Sequence, residues 1–235
     1  MTETALQVTV VRQEPGGQPH EVTFDVPFGE RTTVLDALNW IKDSAEPGLA
    51  FRWSCRMGIC GSCGVMVNGR PVLGCETHVA GYATSGMRIE PLTHAEVKRD
   101  LVVDTEAFIA KMRSAMPWLI TPVADRAPSS MNPQTPEQLL AIHGLSQCIN
   151  CLLCYAACPV LEDVPGFTGP AAIATARRWD LDSRDSGNEQ RFAALAENEE
   201  GIWPCVQNGA CTRVCPRGVD PAKAIKDYQR EAMGG

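Results

Sequence analysis

The sequence lacks several features that would place it in other classes of protein. No apolar run approaches the roughly 18 residues needed to span a bilayer, and the densest, Cys151 to Leu161, is short and carries thiols. The opening Met1-Thr-Glu-Thr-Ala-Leu-Gln-Val has neither the basic start nor the apolar stretch of a secretion signal, so a soluble, cytoplasmic chain is expected. Basic residues do not dominate. The 21 Lys and Arg against 28 Asp and Glu give a net charge of −7, which argues against nucleic acid as a partner. A Gly-rich nucleotide fingerprint is missing, so neither flavin nor nicotinamide is expected on this chain. So is an acid–base pair suited to substrate chemistry, and no catalytic residue is expected. His20, His78, His94 and His143 have no ligand-like neighbours in sequence and are expected at the surface or in structural roles.

Cysteine is abundant, with 11 among 235 residues. An odd number cannot all pair within one chain, and the spacings are those of metal ligands. Free thiols buried as small hydrophobes would be scattered. These fall into three groups, at 55–75, 148–158 and 205–215.

The middle group, Cys148-Ile-Asn-Cys151-Leu-Leu-Cys154-Tyr-Ala-Ala-Cys158-Pro159, reads C-x2-C-x2-C-x3-C-P, the bacterial-ferredoxin run. An imperfect repeat follows at Cys205-Val-Gln-Asn208-Gly-Ala-Cys211-Thr-Arg-Val-Cys215-Pro216, where Asn208 replaces the second cysteine. In two-cluster ferredoxins the fourth cysteine of each run ligates the other cluster. That rule assigns Cys148, Cys151, Cys154 and Cys215 to a 4Fe–4S cluster, and Cys158, Cys205 and Cys211 to a cluster with three thiolates. Three thiolates suit 3Fe–4S, which lacks the corner iron that would need a fourth ligand. The competing reading is a 4Fe–4S cluster with Asn208 or water on that iron, although an amide oxygen is a hard, weak donor there.

In the first group Cys55, Cys60 and Cys63 give C-x4-C-x2-C, the plant-type 2Fe–2S spacing, and Cys75 supplies the fourth thiolate. Zinc is the alternative, but structural zinc sites normally read as two close cysteine pairs. Gly58, Gly61 and Gly64 would let backbone N–H groups approach the sulfurs and raise the reduction potential. Arg52 and Arg56 either add positive potential there or are solvated surface charge. The three sets account for all 11 cysteines.

Hydrophobic periodicity places these sites in two domains, an α+β arrangement. Leu6–Arg12 and Glu21–Val26 alternate at period two around a turn-rich segment and predict a hairpin. Thr32 or Thr33 caps a helix bearing Val34, Leu35, Leu38 and Ile41. Val65–Asn68 and Pro71–Leu73 predict a second hairpin turned at Asn68-Gly69, and Met87–Glu90 a last strand. This outline of a plant-type ferredoxin (β-grasp) domain spans residues 1–103. Residues 104–235 read as an all-α, bacterial-ferredoxin-like domain. Its helices are expected from Asp104 or Thr105 to about Met116, from Thr135-Pro136, from Gly169-Pro170, over Glu189–Glu197 and from Asp220-Pro221, with Thr121–Pro133 as a connecting loop.

Together with Phe51–Gly64, Arg99-Asp-Leu-Val-Val-Asp104, Gly169-Pro-Ala-Ala-Ile173 and Asp182-Ser-Arg-Asp185, these motifs make the chain resemble the iron–sulfur subunits of fumarate reductase and succinate dehydrogenase. The likeness covers nearly its whole length and is somewhat closer to the fumarate reductase branch. The resemblance implies an electron wire from a flavoprotein subunit, which carries FAD and the dicarboxylate active site, to quinone at one or more membrane-anchor subunits. The implied order is flavin, 2Fe–2S, 4Fe–4S, 3Fe–4S, quinone. It further implies a peripheral position on the cytoplasmic side of the inner or plasma membrane.

There are departures. Dehydrogenases of the mitochondrial type place a Trp shortly after the position of Cys158-Pro159 and a His just after that of Cys205, where this sequence has Leu161-Glu162-Asp163 and Val206. Gln229 stands where fumarate reductases have a Lys near the last helix, with Lys226 and Arg230 close by. Pro159, Val206, Gln207 and Lys226 are the candidate quinone-facing residues, with ordinary packing around the cluster as the alternative. Two other functions compete: an electron-transfer subunit of a soluble flavoenzyme using a non-quinone donor such as a thiol, and a redox-sensing binding protein.

Overall fold

The computed structural model describes residues 5–121 and 131–234, so residues 122–130 of the expected connecting loop lie outside the described residues. The chain divides into two compact units. One comprises Met1–Thr105 with Ile149–Ala157, the other Glu106–Cys148 with Cys158–Gly235.

The first unit is built on a five-stranded sheet of order β2-β1-β5-β3-β4. Strands β1 (Ala5–Arg12) and β2 (His20–Pro27) pair antiparallel, Val8 opposite Phe24. Alternation turns Leu6, Val8 and Val10 of β1 into the core. β1 also pairs in parallel with β5 (Met87–Glu90), Val8 opposite Met87. Parallel neighbours need a long crossover, and that crossover contains helix α1 (Val34–Ser44), which buries Val34, Leu35, Leu38 and Ile41. The helix starts where a reciprocal capping box forms. Thr33 Oγ1 accepts from the Asp36 N–H at 3.1 Å, and Asp36 accepts from the Thr33 N–H at 3.0 Å. β3 (Gly64–Val67) and β4 (Arg70–Leu73) turn at Asn68 and Gly69, whose φ values of +47° and +76° meet the requirement of a two-residue hairpin.

A short pair, β6 (Val97–Arg99) and β7 (Val102–Val103), was not expected from periodicity. It carries Asp100, which is buried. This carboxylate accepts from the Arg12 guanidinium at 3.1 and 3.2 Å and from the N–H groups of Gln13 and Ala50 at 3.1 and 2.8 Å. The Arg99–Asp104 motif thus works as a polar clasp on β1.

The second unit is helical, with α2 (Glu106–Ser114), α3 (Pro136–His143), α6 (Pro170–Asp180), α7 (Asn188–Ala196) and α9 (Pro221–Ala232) as its longer elements. The expected Thr135–Gln138 capping box is present. Asp220 accepts from the Lys223 N–H at 3.0 Å and starts α9. Buried Pro221, Ala224, Ile225 and Tyr228 lie at helical spacing along one face of α9. Facing elements approach α6 closely because Ala171, Ala172, Ala174 and Ala176 are small and buried.

Arg191 of α7 is fully buried. Its guanidinium donates to the carbonyls of Met116 (3.0 Å) and Trp118 (2.7 Å), to both oxygens of Asp185 (2.6 and 2.9 Å) and to Asp180 (3.1 Å). Every donor of the planar fork is used. Tyr228 of α9 donates to the second oxygen of Asp180, so this one side chain ties α6, α7, α9 and the segment after α2 together.

Candidate metal centres

Residues 51–63 hold Cys55, Cys60 and Cys63 of the first group in irregular backbone. Arg56, Gly58 and Gly61 adopt left-handed conformations, with φ of +58°, +65° and +72°. Such turns point successive amides to one side, a concavity suited to anions. The amides converge on the sulfurs. Cys55 Sγ accepts from the N–H groups of Met57, Ile59 and Cys60 at 3.4, 3.4 and 3.3 Å. Cys60 Sγ accepts from Cys55 N–H at 3.5 Å, and Cys75 Sγ from Gly58 N–H at 3.4 Å. The Gly74 N–H to Cys63 carbonyl bond, 2.9 Å, holds the Cys63 and Cys75 ends of the β3–β4 hairpin side by side.

The hydroxyl of Ser62, followed by the amides of Cys55 and Ser62, pulls the Cys60 thiol down to about 6. Burial, with Cys75 and Cys60 as neighbours, pushes Cys63 up to about 12. A set of crowded thiols that cannot all ionise alone calls for a cationic centre, and metal binding then releases their protons. Arg56 sits over the Trp53 ring at 4.4 Å, so its charge is held beside this loop.

Of the second set, Cys151 and Cys154 lie in the first unit, on the segment Ile149–Ala157 that includes the single-turn helix α4 (Leu153–Ala156). Leu152 is left-handed (φ +65°), as is Asn150 (φ +54°). Thr93 Oγ1 donates to the Ala156 carbonyl at 2.8 Å and fastens the segment to the first unit. Cys148 and Cys215 belong to the second unit, where both pack against Ala174, Val219 and Ala224.

The third set is gathered in one place. Cys158, Cys205 and Cys211 line one recess, walled by Phe167, Pro170, Ala222 and Ile225. Burial pushes all three thiols up, Cys211 to about 11, and Cys158 adds to the rise at Cys205 and Cys211. The short helices α5 (Val160–Asp163) and α8 (Ala210–Arg213) follow Cys158-Pro159 and Gly209. Asn208 also lines the recess. Its Oδ1 accepts from the Ala210 N–H at 2.9 Å, and its carbonyl accepts from Arg213 at 2.8 Å.

Two stretches of the chain match known families. Residues 7–110 match the family model of a 2Fe-2S iron-sulfur cluster binding domain, and residues 144–219 that of a 4Fe-4S dicluster domain. The fumarate reductase iron-sulfur subunit of Escherichia coli O6:H1 is 46% identical over 229 residues, covering 97% of this chain and 93% of that one. The chain belongs to the iron–sulfur subunits of fumarate reductase and succinate dehydrogenase. The fumarate reductase iron-sulfur subunit of Mycobacterium tuberculosis is 45% identical, covering 99% of this chain and 94% of that one. The structure of a Mycobacterium smegmatis Sdh1 complex in the apo form contains a chain that superposes with a TM-score of 0.86 at 27% identity, covering 99% and 97% of the two chains.

For an iron–sulfur subunit of this family, two features of the recess were not readable from its motifs. Gln229 of α9 donates to the carbonyls of Ile202 (2.9 Å) and Cys205 (3.3 Å), and accepts from Gln207 at 3.0 Å. It therefore braces the Cys205 loop, whereas the sequence marked it only as a departure from lysine. Lys111 of α2 donates to the carbonyls of Pro165 and Phe167, the latter at 2.8 Å, behind the recess wall. Of the candidate quinone-facing residues, Pro159, Val206 and Gln207 line the recess, with Val206 69% exposed. Lys226 lies exposed on α9. All four histidines are exposed. The donor sets are soft thiolates with amide or apolar surroundings, which fit iron–sulfur clusters.

Proposed function

We propose that this chain is the electron-transfer subunit of a fumarate reductase or succinate dehydrogenase complex. It connects the FAD of a flavoprotein subunit, where the dicarboxylate reacts, to quinone at a membrane-anchor subunit. The clusters supply one-electron redox centres when bound, and the chain supplies their ligands, spacing and electrostatics. Cys55, Cys60, Cys63 and Cys75 hold 2Fe–2S. Cys148, Cys151, Cys154 and Cys215 hold 4Fe–4S. Cys158, Cys205 and Cys211 hold 3Fe–4S. No helix among the described residues is long and apolar enough to cross a membrane, so attachment at the cytoplasmic face of the membrane runs through the anchor.

The observation that carries this reading is the recess lined together by the three cysteines and Asn208. The Asn208 carboxamide oxygen is already engaged by the Ala210 N–H. That supports a corner left without iron over one served by the amide. A three-iron centre of relatively high potential suits exchange with quinone, because cluster type and charge set the potential.

Cross-ligation gives the direct test. In the assembled complex, Cys215→Ser is expected to remove the 4Fe–4S signal and succinate–quinone turnover while the oxidised 3Fe–4S signal remains. Loss of the 3Fe–4S signal instead would reverse the assignment of Cys215 and Cys158.

Lys111 yields a second expectation. Its ammonium is drawn down by burial and held up by Glu200 and the Cys158 thiolate. A buried cation beside a thiolate-bound centre favours its reduced, more negative state. Lys111→Met should therefore lower the midpoint potential of the 3Fe–4S centre, Lys111→Arg should largely restore it, and the 2Fe–2S midpoint should stay put. Redox titration followed by electron paramagnetic resonance (EPR) reads all three. An unmoved 3Fe–4S midpoint would show that the charge does not reach it.

A further inference from the structure

The three glycines of the first cluster loop do different jobs. Gly58 brings its N–H to Cys75, and the atoms nearest to a Cβ there belong to the flexible Glu76 side chain. Gly61 and Gly64 face the segment that carries Cys151. A Cβ on Gly61 would lie 2.6 Å from the Ile149 carbonyl oxygen and 3.0 Å from Cys151 Cβ. A Cβ on Gly64 would lie 3.1 Å from the Cys151 carbonyl oxygen, 3.1 Å from Leu92 and 3.3 Å from Leu153. The contacts at Gly61, and the Cys151 oxygen at Gly64, involve backbone or Cβ atoms, which cannot rotate away. The Cys60–Gly64 turn and the Cys151 backbone thus touch without intervening side chains, inside one compact unit.

We infer that Gly61 and Gly64 are positioning residues. Their missing side chains set the separation between the loop of Cys60 and Cys63 and the backbone of Cys151. The inference rests on the ligand assignment above. One electron lost by the first centre is the electron gained by the second, so no other reactant is consumed. Tunnelling weakens exponentially with the gap, and magnetic coupling between two centres falls steeply with it.

The test uses the complete complex, reduced with dithionite, and reads the microwave-power saturation of the reduced 2Fe–2S EPR signal. A paramagnetic neighbour close by relaxes that signal. In the parent complex the signal should be hard to saturate. In Gly61→Ala it should saturate at severalfold lower power. Gly69→Ala is the control. Gly69 has φ +76° and nothing within 4 Å of its added Cβ, so it carries the backbone penalty without the contact, and its saturation should match the parent.

Gly64→Val is the second variant. It sits in β3 without a positive φ, and its bulk acts on the Cys151 backbone even if Gly61→Ala loses its cluster. A parent signal without enhanced relaxation would overturn the ligand assignment. Parent-like saturation in both Gly61→Ala and Gly64→Val, with enhancement present in the parent, would overturn the positioning role alone.

Discussion

Asn208→Cys is expected to convert the 3Fe–4S centre to 4Fe–4S. The new thiolate offers the missing corner iron the soft fourth ligand that an amide does not. The backbone at 208 should keep its place, because the Arg213 guanidinium holds the Asn208 carbonyl at 2.8 Å and Gly209 already takes the left-handed turn (φ +71°) into α8. The lost bond to the Ala210 N–H costs on the order of 1 kcal/mol, the usual net scale for one hydrogen bond, which is small beside the ligation gained. An extra thiolate adds negative charge, so the midpoint should fall. The oxidised 3Fe–4S EPR signal should vanish, and a new signal should appear only on reduction to lower potential. An unchanged oxidised signal would mean that residue 208 does not face the open corner.

Arg191→Met is expected to be among the most destabilising single changes in the helical unit. Asp180, Asp185 and two backbone carbonyls would lose their buried partner together. Removing one member of a buried ion pair costs about 3–5 kcal/mol, because the remaining charge is left without water or counterion. Arg191→Lys should recover only part, since an ammonium cannot reproduce the planar fork.

The effect carries a pH signature. Burial pushes the Asp185 carboxyl up, but Arg191 and the N–H groups of Ile120 and Gly187 outweigh it and hold Asp185 below its ordinary value. A depressed carboxyl contributes stability above its unfolded pKa and loses it as pH falls through the folded one. Without Arg191, burial would raise the same carboxyl, so it would take up a proton in mildly acidic solution. The gap in stability between parent and variant should therefore be widest near neutral pH and narrow as the solution is acidified. Denaturant unfolding at several pH values measures it. A gap that stays constant or widens in acid would contradict the ion-pair account.

Local signals in the sequence carried much of the fold. Thr33 with Asp36, Asn68 with Gly69, Thr135 with Gln138 and Asp220 before Pro221 each act within a few residues, and each makes the contact its residue type suggests. The cysteine spacings carried the family likeness for the same reason, since a loop that wraps a cluster needs its ligands at short fixed intervals.

The remainder depends on distant partners. Periodicity does not encode that Ile149–Ala157 groups with the first unit, because that rests on Gly61, Gly64, Leu92 and Thr93, residues far away in sequence. The single-turn helices α4, α5 and α8 are too short for any helical period to register. Arg191 reads as one more charged residue on an amphipathic helix until the carbonyls of Met116 and Trp118 are seen to meet it. Gln229 and Lys111 act on the third cysteine set through backbone carbonyls, for which side-chain motifs give no signal.

The most direct measurement is low-temperature EPR on membranes containing the complex, first oxidised and then after succinate is added. The account predicts a 3Fe–4S signal in the oxidised sample that disappears with succinate, joining the three-thiolate recess to a dicarboxylate flavoenzyme. An oxidised sample without that signal would contradict the three-iron assignment, and a signal indifferent to succinate would contradict the proposed partner.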